Sequence, residues 1–375
     1  MANILILGGG FAGVIAAQSL AKRVASEHQI TLLSRTNHFL FYPGLVRFAF
    51  GKSSIEDISY DLRGTLLDAR VRFVQGEIAR IDPESRRVIV AHGQVTGDLH
   101  YDYLLIALGR RLATENVTGF FEYAHHVLTL DAAERFGSAA NSFTEGRAVI
   151  GQCAGARLPV PVYETAFALA RRLASRGSPG ATRITILSPD PPGLQFGDGR
   201  FTEALRSALE RHQIEFLPDF RVQSIAPGVV LSVDGHAINY SLLMLLPPFR
   251  GPGAATGLGA TDAEGYLTVS RTMKVEGVER VYAAGDCVNF EGPKLAHMAV
   301  QQAEIAAHNL VNELEGKPAD ETYSHEVMMV LDEGGDETIF LERALWEDKP
   351  TKVRQGLFWS WAKRVHDRYW KYRHL

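Results

Sequence analysis

Residues 3–7, Asn3-Ile4-Leu5-Ile6-Leu7, form a short apolar run that breaks into Gly8-Gly9-Gly10-Phe11-Ala12-Gly13, continues as a helical stretch over residues 14–24 and returns as an apolar run at residues 29–33. This strand, glycine loop, helix, strand order is that of a dinucleotide-binding unit, and it constrains the fold more than any other feature of the chain. Gly8 permits the tight turn, Gly10 lets backbone amides approach a pyrophosphate at the helix N-terminus, and Gly13 lets helix and strand pack closely. Phe11 and Ala12 complete the loop and join these glycines as expected cofactor contacts. A glycine-rich structural turn is the plain alternative, and the flanking apolar runs weigh against it. The acid that ordinarily holds the adenosine ribose about 20 positions on is replaced by Ser34-Arg35. The Ser34 hydroxyl can still hydrogen-bond a ribose hydroxyl, and Arg35 can stack on adenine or pair with phosphate.

Three later segments extend the pattern. Residues 101–109 read as a buried strand ending in small residues, among them Ala107 and Gly109. Residues 281–286 read as another, ending in Ala284-Gly285-Asp286, and residues 296–310 as a helix opening below them with Ala296 and His297. Between these parts lies a second α/β unit, with strands at 147–151 and 183–187 and helices at 163–175 and 201–212. The expected fold is α/β, with two Rossmann-like domains: a discontinuous one over residues 1–112 and 252–316, and an inserted one over residues 113–251. A C-terminal domain over residues 317–375 follows. In the inserted unit the crossover loop, 151–163, carries Cys153 where a second glycine would be and Pro159 and Pro161 where the helix should start. A side chain and missing N–H groups obstruct a pyrophosphate there, so the inserted domain is not expected to seat a nicotinamide nucleotide.

Composition narrows the classes further. A chain of 375 residues spans about two or three domains, and 46% hydrophobic with 22% charged is ordinary globular chemistry. Lys plus Arg number 39 against 43 Asp plus Glu, so the net charge of −4 provides no global field to gather nucleic acid. Cys153 and Cys287 lie far apart and lack ligand-type spacing, which removes a disulfide framework and a structural zinc site and fits a reducing compartment. The N-terminus lacks a basic region ahead of its apolar run, so a leader is not expected and the location is expected to be cytoplasmic. The best apolar run, residues 242–246, stops at Pro247-Pro248, far short of the roughly 18 residues a spanning helix needs.

The glycine loop and the three later segments resemble the FAD signatures of flavoproteins with two dinucleotide domains. Further matches are Phe39-Leu40-Phe41-Tyr42-Pro43, Gly151-Gln152-Cys153, Tyr163-Glu164-Thr165-Ala166-Phe167, residues 246–252 and an aromatic-basic tail. Together they resemble the sulfide:quinone oxidoreductase and flavocytochrome c sulfide dehydrogenase branch of the pyridine nucleotide-disulfide oxidoreductase superfamily, close to the type II NADH dehydrogenases. The resemblance implies an FAD-dependent oxidoreductase that passes electrons from a small donor to a quinone. It implies that Asp286 binds a ribityl hydroxyl and that Pro43 lies in the FAD site. In the sulfide branch a cysteine pair, one matching Cys153, carries sulfur to the flavin. The partner is expected within residues 325–332 and a further cysteine near residues 128–130, and this chain has neither. Cys287, beside Asp286, is poorly placed to substitute.

Several residues keep two readings. Cys153 is either a thiolate activated by the flavin site and the following helix or a buried small hydrophobe; Cys287 reads as packing. Glu164 is a candidate proton carrier, but an acid in a first helical turn also serves the macrodipole. His297 is either functional or satisfies a helix end. In the last twenty residues Phe358, Trp361, Ala362, Val365, Tyr369 and Tyr372 recur at helical spacing, with Lys363, Arg364, Arg368, Lys371 and Arg373 between them. That is the chemistry of an interfacial helix on an anionic membrane surface; docking on its own domain or on the partner in a homodimer is the alternative. Asp332, Glu333, Asp336 and Glu337 read as a solvated acidic loop. The rival functions are a type II NADH dehydrogenase and a non-catalytic flavin scaffold.

Overall fold

A computed structural model describes residues 1–177, 181–333, 338–356 and 358–359. Strand β1 (Asn3–Leu7) is apolar because both its faces are covered, and it lies between two parallel neighbours, β2 (Gln29–Ser34) and β6 (Tyr103–Ile106). Beyond β2 come β3 (Val71–Asp82), then β4 (Arg87–Gly93) and β5 (Gly97–His100) as an antiparallel meander. On the other side β6 pairs in parallel with β11 (Val281–Ala283), Val281 opposite Leu104. A strand from late in the chain thus completes the first sheet, which is why this unit is discontinuous in sequence. Helices α1 (Phe11–Arg23) and α5 (Ala296–Leu314) pack together on this sheet.

The inserted unit is a parallel sheet of β7 (Gly146–Gln152), β8 (Thr182–Leu187), β9 (Ile214–Leu217) and β10 (Leu242–Leu246), in the order β9-β8-β7-β10. Its helices are α2 (Leu130–Ser142), α3 (Val160–Ser175) and α4 (Gly199–Arg211). The apolar run at residues 242–246 is strand β10, buried along its whole length. Helix α3 starts three residues before the expected residue 163, and its prolines start it rather than delay it. Pro159 is the N-cap and Pro161 lies in the first turn, where a missing N–H has no intrahelical acceptor to lose.

The C-terminal part is an antiparallel sheet of β12 (Glu326–Asp332), β13 (Thr338–Ala344) and β14 (Lys352–Gln355), packed on α3, α4 and α5. Asp332 and Glu333 do not lie in the solvated loop expected there. Asp332 ends β12, and Glu333 is 1% exposed, ion-paired with Arg211 at 3.0 Å and 3.4 Å from the His212 Nε2, at the C-terminus of α4. Asp336, Glu337 and the tail from residue 360 on lie outside the described residues. Among the described residues no helix is long and apolar enough to cross a membrane.

Candidate functional site

Each sheet reverses its winding once, between β1 and β6 in the first unit and between β7 and β10 in the second, and ligands of such folds bind outside the strand C-termini at that switch point. In the first unit the glycines do what close approach requires. Gly8 has φ +104°, and a Cβ on it would stand 2.2 Å from the Ala107 carbonyl oxygen; a Cβ on Gly13 would stand 1.8 Å from the Gly8 oxygen. Above Gly10, by contrast, an added Cβ meets open space. Gly285, at φ +86°, is wedged between Ala12 in α1 and Ala299 in α5, with an added Cβ 3.1 Å and 3.6 Å from their methyl carbons. The two helix N-termini therefore meet at the Gly285-Asp286 turn. Gln302 in α5 fixes that turn, its Oε1 accepting the Gly285 N–H at 2.8 Å.

Neither helix has a capping acceptor, since the N-cap residues are Gly10 and Leu295, and neither first turn holds an acid. Two positive dipole ends without side-chain caps thus come together at the Gly285-Asp286 turn, an arrangement that suits an anion. Phe11 packs edge-on to Phe39 at 4.9 Å and near Phe41 at 5.8 Å, which brings the exposed Tyr42-Pro43 turn to the same edge. Ser34 is buried beneath Gly9, and Arg35 is exposed at the end of β2.

Four contributors lacked a sequence reading: Arg110, Arg157, Lys294 and Gln302. Arg110 follows Gly109, and its side chain is 10% exposed. It pairs with the Asp286 carboxylate, stacks over Phe249 at 4.3 Å and lies 5.7 Å from the Tyr42 ring centroid, while its buried Nε has no acceptor. The available signal was a basic residue directly after the strand-ending Ala107-Leu108-Gly109. Asp286, the uncapped helices and this orphaned Nε fit a group that carries both phosphates and hydroxyls, as FAD does. Ala296 opens α5 as expected. His297 turns to β12, its Nε2 lying 3.0 Å from the Glu326 carbonyl oxygen and 3.2 Å from the Met328 nitrogen.

At the inserted unit's switch point the segments that follow β7 and β10 are bonded to each other. The Cys153 N–H donates to the Leu246 carbonyl (2.8 Å), Phe249 N–H to Gly155 (3.1 Å) and Ala113 N–H to Pro248 (2.8 Å). Arg157 is tied to the carbonyls of Phe290 and Gly292. The Cys153 side chain is 1% exposed and lies in a core cluster with Val149, Leu187, Phe220 and Leu245, and burial pushes its thiol up to about 12. A thiol so placed stays protonated at neutral pH, which favours the packing reading. Cys287 belongs to the other core cluster, its Sγ near the carbonyls of Ala284 and Ile106, with burial pushing it up to about 11. Both are free thiols, each in its own cluster. Glu164 is buried on α3, and its Oε1 accepts the Asp332 N–H at 3.2 Å, so it braces β12.

Fold and site together define a two-Rossmann flavin-binding oxidoreductase. The chain belongs to the pyridine nucleotide-disulphide oxidoreductase family, whose model matches residues 2–303, and it is FAD-dependent. It is similar to the sulfide-quinone reductase of Aquifex aeolicus, with 24% identity covering 99% of this chain and 91% of that protein. It is also similar to the mitochondrial sulfide:quinone oxidoreductase of Mus musculus, 24% identical over 81% of this chain and 69% of that one. The type II NADH:quinone oxidoreductase of Staphylococcus saprophyticus is 24% identical over 85% of this chain and 84% of its own. The crystal structure of the Aquifex aeolicus sulfide:quinone oxidoreductase shares the fold at a TM-score of 0.92, covering 100% of this chain and 91% of that one, at 23% identity.

Proposed function

We propose that this protein passes electrons from a small donor through its flavin to a quinone, with Gly8, Gly10, Gly13, Gly109, Gly285 and Asp286 in the FAD site. The observation that carries the donor side is the bonding of the segments after β7 and β10 to each other. There residues 153–155 are bonded to residues 246–249, and these contacts, with Cys153 in place of a second glycine, weigh against a nicotinamide nucleotide in the inserted unit. The acceptor is inferred from the relatives, which are named as quinone reductases whichever donor they use.

Bound FAD supplies reversible two-electron chemistry. The uncapped N-termini of α1 and α5 would hold its pyrophosphate and Asp286 a ribityl hydroxyl, with Arg110 reaching from Asp286 to Phe249 beside them. With Cys153 and Cys287 in separate core clusters, the donor reacts without an intramolecular disulfide relay. The division into an FAD domain over 1–112 and 252–316, an insertion over 113–251 and a C-terminal domain over 317–375 belongs to this reading. So does peripheral attachment to an anionic membrane on the cytoplasmic side through the C-terminal segment, which would bring the flavin to a lipid-dissolved quinone.

Anaerobic mixing of purified protein with NADH, and separately with sulfide, tests the reading by the bleaching of the flavin band. The expected result is little bleaching by NADH, bleaching by the sulfur donor and recovery on adding quinone. Rapid bleaching by NADH would instead make the protein an NADH:quinone oxidoreductase. Failure of every donor would leave a flavin scaffold.

A further inference from the structure

Lys294 stands where electrostatics does not favour a cation. It lies just ahead of Leu295, the N-cap of α5, so its ammonium adds to the positive end of the helix dipole instead of opposing it. It is also 7% exposed, and burying a charge without a counter-charge is costly. Its Nζ donates to the Val288 carbonyl and lies 4.8 Å from the Tyr266 ring centroid. The groups that face it come from several segments: Arg157 after β7, Arg110 after β6, Asp286 and Cys287 after β11, and His325 ahead of β12. Of the charges that act on it, Arg157 and Arg110 disfavour an ammonium and Asp286, already held by Arg110, favours it; Glu291 lines the same pocket, its carboxylate accepting from the Trp346 indole at 2.8 Å. Lys294 lines a pocket with Gly285, Asp286, Met298, Gln302 and His325, between the turn assigned to the flavin and the first turns of α5.

His325 is not the proton-exchanging member. Its Nε2 donates to the Glu291 carbonyl at 2.9 Å, its Nδ1 lies 3.0 Å from the Tyr323 hydroxyl, so both ring nitrogens are engaged, and burial holds the ring below its usual range. The amine is different, because burial and then the neighbouring Arg157 bring Lys294 down to about 7, so both of its forms are accessible near neutral pH.

We propose that Lys294 is the charge-compensating residue of the flavin site, binding a proton when the flavin is reduced and releasing it when the flavin is re-oxidised. The inference rests on the flavin lying at Asp286. The donor delivers two electrons; one proton goes to the flavin, which keeps one net negative charge, and a second goes to the Lys294 amine, which becomes ammonium. When a quinone takes the two electrons it also takes two protons to become a quinol, and Lys294 returns to the neutral amine.

The test is the midpoint potential of bound FAD against pH, across neutrality, in the wild type, Lys294→Met and Lys294→Arg. Two protons per two electrons are expected in the wild type and one in each variant, so that the slope halves. Lys294→Met should also lower the potential at a given pH, whereas Lys294→Arg, which keeps the charge, should hold it. Equal slopes in the three proteins overturn the proposal, and should both variants fail to fold, a wild-type slope of one proton per two electrons overturns it alone. Asp286→Ala separates this from the flavin placement: loss of FAD from a folded protein supports the placement, and full retention overturns the placement and the inference with it.

Discussion

A buried thiol and a partly buried carboxylate show how one side chain's surroundings set its chemistry. Cys153 is held by Val149, Leu187, Phe220 and Leu245, on the sheet face opposite the neighbouring Gln152. The cysteine-to-flavin role suggested by resemblance requires a thiolate, and no neighbouring cation offsets the burial that raises its value. Cys153→Ser should therefore leave donor rates and FAD content unchanged, and should cost about 1–3 kcal/mol of stability by burying a hydroxyl that lacks a ready partner. Stopped-flow reduction and denaturant unfolding measure the two effects. Abolished donor reaction at full FAD content would restore the thiol to the mechanism. Asp286 has the opposite circumstance, because Arg110 joins it from another strand and keeps its carboxylate paired.

At the scale of elements, the attachment of the C-terminal sheet depends on a few polar links. Glu164 binds the end of β12, His297 lies against its start, and Glu333 joins it to the end of α4. Burial pushes the Glu333 carboxyl up, but the hydrogen bonds from His212 and Arg211 outweigh it and hold the group below its usual range. The sign follows from linkage. A carboxyl lowered in the folded state adds stability above its unfolded pKa of about 4.3, and that stability is lost as the pH falls through the folded value. Acid should accordingly loosen this sheet. Glu333→Gln should cost about 1–3 kcal/mol at neutral pH, Arg211 being partly screened by solvent, and should flatten the acid limb of the stability profile. Hydrogen exchange of β12 amides against pH reads both, and an unchanged acid limb would show that the ion pairs carry no such weight.

A lipid-dissolved quinone has to meet the flavin of a molecule with no membrane-crossing helix among its described residues. Trp359 stacks on Phe340 of β13 at 4.1 Å, and Phe358 beside it is 63% exposed, so the chain leaves the C-terminal sheet with an apolar side chain toward solvent. Deleting residues 356–375 should release the protein from anionic liposomes while leaving FAD bound. Co-sedimentation of the truncated form would show that another surface makes the contact.

What was legible in the sequence was whatever local spacing imposes. The run at residues 3–7, the glycines at 8, 10 and 13 and the small residues ending at 285 each encode a strand end and a close approach, because only glycine tolerates the contact of Gly13 with the Gly8 carbonyl. The start of α3 was misread by three residues, since prolines that break a helix interior also open a helix. Glu333 looked solvated because its partners, Arg211 and His212, come from an element more than a hundred residues earlier. Arg110 and Lys294 were silent for the same reason: a charge acquires meaning from what surrounds it, and those neighbours arrive from strands distant in sequence. Strands, turns and the flavin-binding class follow from periodicity and backbone sterics, and so could be read along the chain. Which charges meet, which distant segments bond and whether a thiol ionises emerge on folding, because desolvation and Coulomb energy depend on distances in space.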